Sequence, residues 1–314
     1  MLSVETQKSR HFEDLSAIQF GWDFTASQLG PCEQESTVSL YRTPKVGYNR
    51  FRYATPYDQR LRSRQGYLSF GLLDPENPVT WAYDQLIPND AITVFSREED
   101  LKAASPIGFR GNGIHFSLDL VKAMAEEVYR RPLDSLVPEP GVYLPDSVKI
   151  RYLRHELQKW QQLEIFSAEA RTAIISRREE TLALAFLDAL ADTDSQGESR
   201  SVATTQSMSR ALEFIHNSEL ENISALELCR QSGCSQRTLE KGFKERFGVT
   251  PKKYIKYLRL ARVRRGLQTL DSQDSQSVIQ VAGIHGFWHM GQFAADYRRI
   301  YGELPSQTLH QKAS

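Results

Sequence analysis

Two segments in the C-terminal third of the chain repeat one plan, in which two short helices meet at a tight turn containing glycine. In the first segment, a helix ends at Gly233, and Ser235 caps a second helix that ends at Gly248. In the second segment, Gly286 and Gly302 occupy the corresponding positions. Two helices joined in this way are typical of a helix-turn-helix unit, whose second helix enters the major groove of DNA. The repeat therefore predicts an all-helical domain with two such units.

The sequence also contains residues that are typical of the N-termini of these helices. Ser224 is followed three residues later by Glu227, the spacing of a capping box, and Thr250 precedes Pro251, a common first helical residue. The helix that begins at Pro251 reads PKKYIKYLRLARVRRGLQTL and would be roughly 30 Å long at 1.5 Å per residue. We expect it to hold the two units about one DNA turn, or roughly 34 Å, apart, so that they reach two successive major grooves.

The charges of the chain are divided unequally between its halves. The whole sequence holds 39 basic and 39 acidic residues, yet residues 201–314 hold 16 basic residues against 10 acidic ones. A basic segment attracts polyanions such as DNA. This imbalance supports nucleic-acid binding by the C-terminal part.

The residues expected to contact DNA lie at the start and on the outward side of the second helix of each unit. They are Ser235, Gln236, Arg237, Glu240, Lys241 and Lys244 in the first unit, and Trp288, His289 and Gln292 in the second. Arginine can bond both O6 and N7 of guanine, and glutamine can bond N6 and N7 of adenine. Trp288 is equally consistent with a place in the core.

Two further pairs of residues in these helices have two interpretations each. Lys253 and Arg259 on the connecting helix suit either phosphate contact or solvation. Gly242 and Gly291 lie inside the recognition helices, where each costs roughly 1 kcal/mol relative to alanine. They indicate either a close approach to DNA or less rigid helices.

The N-terminal half has a different texture. Residues 36–116 contain short stretches rich in Val, Tyr, Phe, Thr and Ile, separated by turn-forming residues, which predicts a β-sandwich or barrel. Helices follow at 117–131, 146–166 and 168–190, and the last two could close the barrel, pair two subunits or cover their own sheet. Residues 191–206 are polar and predict an interdomain linker.

Several classes of protein are excluded by what the sequence lacks. No apolar run approaches the roughly 20 residues that span a bilayer, and the N-terminus lacks the apolar region of a secretory signal, so a cytoplasmic protein is expected. The three cysteines form no CxxC pair, and no GxSxG, HExxH or Walker motif occurs. We expect no metal, no cofactor and no catalytic site.

The C-terminal segments CSQRTLEKGFKERFGVTPKKYIKYLRLARVRRGL and VAGIHGFWHMGQFAADYRRIYGELPSQTL resemble the AraC/XylS family of bacterial transcription regulators over residues 208–310. Within that family, GFWHMGQFAADY followed by TLHQ looks like the branch of the ethanolamine-utilisation operon regulators. The resemblance implies that bases are read at Gln236, Arg237, Glu240 and Lys241 in the first unit and at His289, Gln292 and Ala295 in the second.

The residue patterns together predict an α+β fold, and the resemblance agrees with it. A cupin-like N-terminal β-barrel with following helices would occupy residues 1–190, a linker 191–206 and an all-α DNA-binding domain 207–314. The N-terminal domain would sense a small molecule or mediate dimerisation, with candidate ligand-binding residues Tyr41, Tyr53, Trp81, Phe95 and His115.

The expected function is transcriptional regulation, with activation favoured. The expected partners are double-stranded DNA, a small-molecule effector, a second copy of the chain and, for an activator, RNA polymerase. Two alternatives are a dimeric regulator without a ligand and a cupin-like enzyme fused to a DNA-binding module.

Overall fold

The computed structural model of the chain describes residues 2–11, 15, 20–31, 33–82, 85–191, 203–270 and 276–310. The fold is α+β: antiparallel strands followed by helices form the N-terminal part, and helices form the C-terminal part. Within these ranges, no helix is both long and apolar enough to cross a membrane.

The larger of two sheets is antiparallel and has seven strands. In spatial order they are β1 (Ser3–Ser9), β3 (Ser36–Arg42), β4 (Val46–Arg52), β11 (Arg110–Ser117), β6 (Tyr67–Leu73), β9 (Ile92–Val94) and β12 (Gly141–Tyr143). The central strand β11 pairs with two neighbours, so that Ile114 lies opposite Tyr48 on one side and Phe70 on the other.

The smaller sheet has five antiparallel strands and packs face to face against the larger one. In spatial order they are β2 (Trp22–Gln28), β5 (Tyr57–Ser63), β10 (Leu101–Ser105), β7 (Thr80–Ala82) and β8 (Gln85–Ile87). The expected closed barrel is wrong, because within the described residues no strand pairing joins the edges of the two sheets.

The alternation of side chains along the strands gives the larger sheet two buried faces. On β6, Phe70 belongs to the cluster under the helices, whereas Leu73 belongs to the cluster between the sheets. Gly113 of β11 makes room for Trp22 of the smaller sheet, because a Cβ there would stand 2.2 Å from the indole ring. The core of the N-terminal part is therefore divided into two layers, one on each side of the larger sheet.

The outer face of the larger sheet is covered by helices. They are α1 (Leu118–Met124, continued by a π-helical turn at Ala125–Tyr129), α2 (Ser147–Gln161) and α3 (Ala168–Ala191). The ring of Phe186 stacks on Phe70 at 5.0 Å, and Trp160 is fully buried. The three predicted helices are present, and of the roles left open for the last two, these contacts show them covering their own sheet.

In the described residues 203–270 and 276–310, the C-terminal part has seven helices. They are α4 (Ala203–Asn217), α5 (Ala225–Ser232), α6 (Gln236–Phe247), α7 (Pro251–Thr269), α8 (Gln276–Ile284), α9 (Met290–Tyr301) and α10 (Pro305–His310). The predicted caps are confirmed: the side chains of Ser224, Ser235 and Thr250 each accept a hydrogen bond from a backbone N–H of the first turn. Of the segment predicted as a linker, residue 191 belongs to α3 and residues 203–206 belong to α4. The rest of that segment lies outside the described residues.

The helical part rests on the outer face of the five-stranded sheet. Leu29 and Ala104 share one buried cluster with Tyr254 of α7 and Ile300 of α9. The side-chain amide of Gln28 donates a 3.2 Å hydrogen bond to the carbonyl of Ile300. The outward side chains of this sheet consequently lie against the helices of the C-terminal part.

Candidate nucleic-acid interface

The first recognition helix, α6, has one buried face and one open face. Leu239, Phe243 and Phe247 are buried, and the Phe243 ring lies 5.2 Å from that of Tyr254 on α7. The predicted residues of this unit lie away from that core: Ser235, Gln236, Arg237, Lys241 and Lys244 are exposed, and Glu240 is half-buried. The structure therefore brings the predicted residues of the first unit together on one open surface.

Hydrogen bonds within α6 separate these side chains into two groups. Gln236 donates a 2.8 Å hydrogen bond to Glu240, and the Lys241 ammonium lies 3.8 Å from Glu245. Arg237 and Lys244 have neither a side-chain hydrogen bond nor an ion pair to any residue that the structure describes. The guanidinium of Arg237 is therefore an exposed set of paired N–H donors that no described residue accepts.

The second unit repeats this arrangement with α8 and α9. Phe293 and Tyr297 are buried, whereas His289 and Gln292 are exposed and Trp288 is 77% exposed. Of the two places that the sequence allowed for Trp288, the structure shows the exposed one. The amide of Gln292 is hydrogen-bonded to the carboxylate of Asp296, one turn along α9. Gln292 would have to exchange this bond to contact a base.

The two turns and the two helix ends match between the units. Gly233 and Gly286 have φ angles of 69° and 72°, and Gly248 and Gly302 have 71° and 73°. These left-handed conformations favour glycine because a Cβ would crowd the following carbonyl. The alignment of the two units made from the sequence is confirmed at both pairs of glycines.

The two glycines inside the recognition helices have different surroundings. Gly242 is buried, and a Cβ there would lie 2.6 Å from the sulfur of Met208 on α4. Gly242 therefore faces the packing between α6 and α4, where an added methyl group would displace the Met208 side chain, and it does not lie on the open face of α6. Gly291 is exposed, with no atom within 4 Å of an added Cβ.

The connecting helix α7 is bound to the second unit by three basic side chains. Arg264 is fully buried and donates to the carboxylate of Glu303. Lys256 lies 2.9 Å from Oδ2 of Asp296. Arg259 donates to the carbonyls of His285 and Gly286 at the turn between α8 and α9. Arg259 therefore stabilises the fold. Neither of the two roles expected from the sequence, phosphate contact or solvation, accounts for these hydrogen bonds.

A second group of charged residues, which sequence analysis did not predict, lies at the contact between the five-stranded sheet and the helices. Asp58 of β5 is buried, and its Oδ2 lies 3.4 Å from Nε2 of His216 on α4. Burial raises the pKa of Asp58 to about 6, and burial together with nearby arginines and Lys102 lowers the pKa of His216 to about 3. Because side chains alternate along a strand, Asp58 and Arg60 lie on the outward face of β5 and Gln59 on the inward face. The sequence alone does not show that the C-terminal helices cover that outward face.

A cavity between the two sheets contains two of the five candidate ligand-binding residues. Tyr53 and Phe95 line it together with Trp22, Phe51 and Gln59, and its volume is about 60 Å³. Ligand pockets usually measure roughly 300–1,000 Å³. A metabolite could enter only if the aromatic side chains moved.

The other three candidates lie elsewhere. Tyr41 stacks on Tyr48 under the helices, and Trp81 packs against the C-terminal helices, with the guanidinium of Arg246 5.8 Å from its ring. His115 is fully buried, bonded through its two ring nitrogens to Asn49 and Ser69.

Burial lowers the pKa of His115 to about 3, so the ring is neutral at pH 7. Among the described residues, no three His, Cys, Asp or Glu side chains are grouped closely enough to hold a metal ion.

The C-terminal part matches a family of known domains. Residues 228–311 fit the model described as a helix-turn-helix domain. Over 105 residues the chain is 34% identical to the XylDLEGF operon transcriptional activator of Pseudomonas putida, which covers 33% of this chain and 32% of that protein. Over 99 residues it is 30% identical to the probable thc operon regulatory protein of Rhodococcus erythropolis, covering 32% of this chain and 30% of that one. The chain thus spans about a third of the length of these relatives.

The solved structures that resemble this chain also include proteins named as transcriptional regulators. The AraC-like transcriptional activator CuxR covers 82% of this chain and 94% of its own, at 15% identity and a TM-score of 0.42. A probable AraC family transcriptional regulator from Rhodopseudomonas palustris covers 33% of this chain and 95% of its own, at 30% identity and a TM-score of 0.31. The relatives named here are transcriptional regulators rather than enzymes.

Proposed function

From the premise that residues 228–311 form a helix-turn-helix domain of the AraC/XylS type, we propose that this chain is a sequence-specific, DNA-binding transcriptional regulator. We propose that residues 1–190 carry out regulation and that residues 207–314 bind DNA. Since the Pseudomonas putida relative is an operon activator, we favour activation, which would require contact with RNA polymerase. The ethanolamine-utilisation branch finds no support among these relatives, and no effector is proposed from it.

The observation that carries this proposal is the exposed guanidinium of Arg237. It projects from the second residue of α6, where recognition helices contact base edges, and no described residue accepts its hydrogen bonds. Such a donor fork matches the O6 and N7 acceptors of guanine. Gln292, in the corresponding part of α9, supplies the second reading position.

The rigid connection supports binding to two successive grooves. Helix α7 has 19 residues and is therefore roughly 28 Å long, close to the roughly 34 Å of one DNA turn. Its buried Arg264 and its Lys256 hold the second unit in place. We propose that one protomer binds one face of the duplex across two adjacent major grooves.

The test is to select duplexes from a random pool with the full chain and to footprint the enriched sequence. We expect protection of two adjacent major grooves per protomer. A scrambled duplex of the same length and composition is the control. Affinity should fall with salt at a log–log slope of about −0.9 per phosphate neutralised. Absence of enrichment, or affinity that does not change between 50 and 200 mM salt, would contradict DNA reading.

We further propose that the N-terminal part either senses a small molecule in the cavity between its sheets or dimerises. The aromatic lining favours an apolar or aromatic ligand, which must displace side chains because the cavity is small. A metabolite panel that raises the melting temperature of the wild-type chain but not of a Phe95→Trp variant would support sensing. A panel without effect would favour the ligand-free dimer.

The surface we propose for dimerisation is the exposed side of α2. Val148 and Tyr152, one turn apart, are 60% and 48% exposed. A second copy would bury this apolar stripe. Val148→Glu should shift sedimentation from dimer to monomer, whereas Val79→Glu, at an equally exposed valine far along the chain, should leave it unchanged.

A further inference from the structure

A cleft of about 320 Å³ lies between the outer face of the five-stranded sheet and the helices of the C-terminal part. Its walls include Asp58 and Arg60 of β5, His216 of α4, and Leu258, Arg262 and Arg265 of α7. This cleft is distinct from the cavity between the sheets, because Asp58 and Arg60 alternate with the inward residues Gln59 and Leu61. Its volume is at the lower end of the range for small-molecule sites.

The cleft has an excess of positive charge. Arg262 and Arg265 are four and seven residues beyond Leu258, so one face of α7 presents both guanidinium groups to the sheet. Arg60 faces them from β5 and stands directly opposite Lys102 of β10. Like charges directly opposite each other on paired strands are unfavourable. Asp58 is the one carboxylate among the lining residues; it lies 3.4 Å from His216, and the charges of Arg60 and Lys102 favour its ionised form.

These cations have few direct partners among the described residues. In the part of the chain that the structure describes, neither Arg60 nor Arg262 has a side-chain hydrogen bond or an ion pair within 4.0 Å. Arg265 donates one hydrogen bond, of 3.3 Å, to the carbonyl of Ala26 on β2. Burial lowers the pKa of Arg262 and the neighbouring Arg265 lowers it further, while Glu221 opposes both effects. An arrangement of this kind gains stability when an anion occupies it.

We propose that this cleft binds a small oxyanion, the carboxylate or phosphate group of a metabolite, between Arg60 of the sheet and Arg262 and Arg265 of α7. Guanidinium groups bind both kinds of oxyanion through paired N–H donors. The bound anion would join the N-terminal part directly to the helix that carries both helix-turn-helix units. Its binding does not require DNA, and the site therefore stands or falls independently of the function proposed above.

The experiment is isothermal titration of the full chain, without DNA, with inorganic phosphate and separately with malonate at constant ionic strength set by chloride. We expect saturable binding of at least one anion. Binding of phosphate alone would identify a phosphate site, and binding of malonate alone would identify a carboxylate site. Binding of both anions would identify a general oxyanion site. Absence of saturable binding with either anion overturns the proposal.

Three variants locate the site. Arg60→Gln and Arg262→Gln should each raise the dissociation constant at least tenfold. Arg62→Gln is the matched control: Arg62 lies two residues along the same strand and face, pairs with Asp23 at 3.3 Å and is outside the cleft, so binding should be unchanged. An equal loss in Arg62→Gln and Arg60→Gln would reveal unspecific surface charge and overturn the assignment. If Arg262→Gln does not fold, the comparison of Arg60→Gln with Arg62→Gln decides alone.

Discussion

Lys256 of the connecting helix donates a 2.9 Å hydrogen bond to Oδ2 of Asp296 in the second recognition helix. Asp296 also accepts a 2.6 Å bond from Arg299 and is 4% exposed. Although burial alone would raise the pKa of Asp296, the bonds from Lys256 and Gln292 and the nearby positive charges lower it below its usual range. One carboxylate thus fixes α9 against α7 and also holds the amide of the reading residue Gln292.

Replacing Asp296 by Asn should destabilise the C-terminal part by about 2 kcal/mol, because charge-assisted hydrogen bonds contribute roughly 1.5–3 kcal/mol each and part of this is retained by the amide. Since the folded pKa is depressed, this stabilisation is present at neutral pH and is lost as the pH falls through the folded pKa. Urea unfolding followed by circular dichroism measures both effects. Glu245→Gln, at an exposed acid with a partner at 3.8 Å, is the control and should change stability by less than about 0.5 kcal/mol. Equal effects of the two substitutions would contradict the role of Asp296.

Two glycine substitutions in the second unit should act in opposite directions. Gly286→Ala places a Cβ at φ 72°, 2.7 Å from Cβ of Glu221 and 2.6 Å from the guanidinium of Arg259. Gly286→Ala should lower the free energy of unfolding by about 1–3 kcal/mol, since a left-handed backbone alone costs a residue other than glycine roughly 1–2 kcal/mol. Gly291→Ala meets nothing within 4 Å and should stabilise α9 by up to about 1 kcal/mol. Thermal unfolding of both variants checks the prediction, and destabilisation by Gly291→Ala would refute it.

Arg237→Ala should reduce binding to the selected operator by about 1–3 kcal/mol, or roughly 5- to 150-fold, with a much smaller loss on random duplex. Lys253→Ala should weaken both alike or neither. Competitive binding at fixed salt measures the ratio. Arg177→Ala removes the same charge from an exposed position on α3 and should change neither affinity. Equal losses on both duplexes for Arg237→Ala would assign this residue to the DNA backbone and withdraw base reading from that side of α6.

The parts of this molecule that were predictable from sequence are those determined by local interactions. Caps at Ser235 and Thr250 and the turn at Gly233 depend on neighbouring residues, and the repeat of turn glycines identified both units. The prediction of a closed barrel was wrong because the alternation of side chains predicts strands but not the sheet to which each strand belongs. Arg259 and Gly242 were misjudged for a similar reason: their partners, the Gly286 turn and Met208, come from distant segments.

The contact between the sheet and the helices makes stability depend on the ionisation of Asp58. Burial raises its pKa to about 6, although Tyr254, Arg246, Arg60 and Lys102 all favour the charged form. An unfolded aspartate has a pKa of roughly 3.9, so the folded state binds the proton more tightly. Stability from this group is full below about pH 4 and is lost as the pH rises through 6.

His216 shows the opposite dependence, because its folded pKa of about 3 lies below the unfolded value of roughly 6.5. The difference in stability between the wild-type chain and an Asp58→Asn variant reports the ionisation of Asp58 together with its coupling to His216, which lies 3.4 Å away. A shift of about two pKa units corresponds to about 3 kcal/mol. We therefore expect the wild-type chain to lose up to about 3 kcal/mol relative to Asp58→Asn between pH 4 and pH 7. Urea unfolding at four pH values measures this difference, with Asp23→Asn, whose side chain is 50% exposed, as the control. A difference between wild type and Asp58→Asn that stays constant across this range would mean that Asp58 titrates normally and that the sheet contact does not exclude water from it.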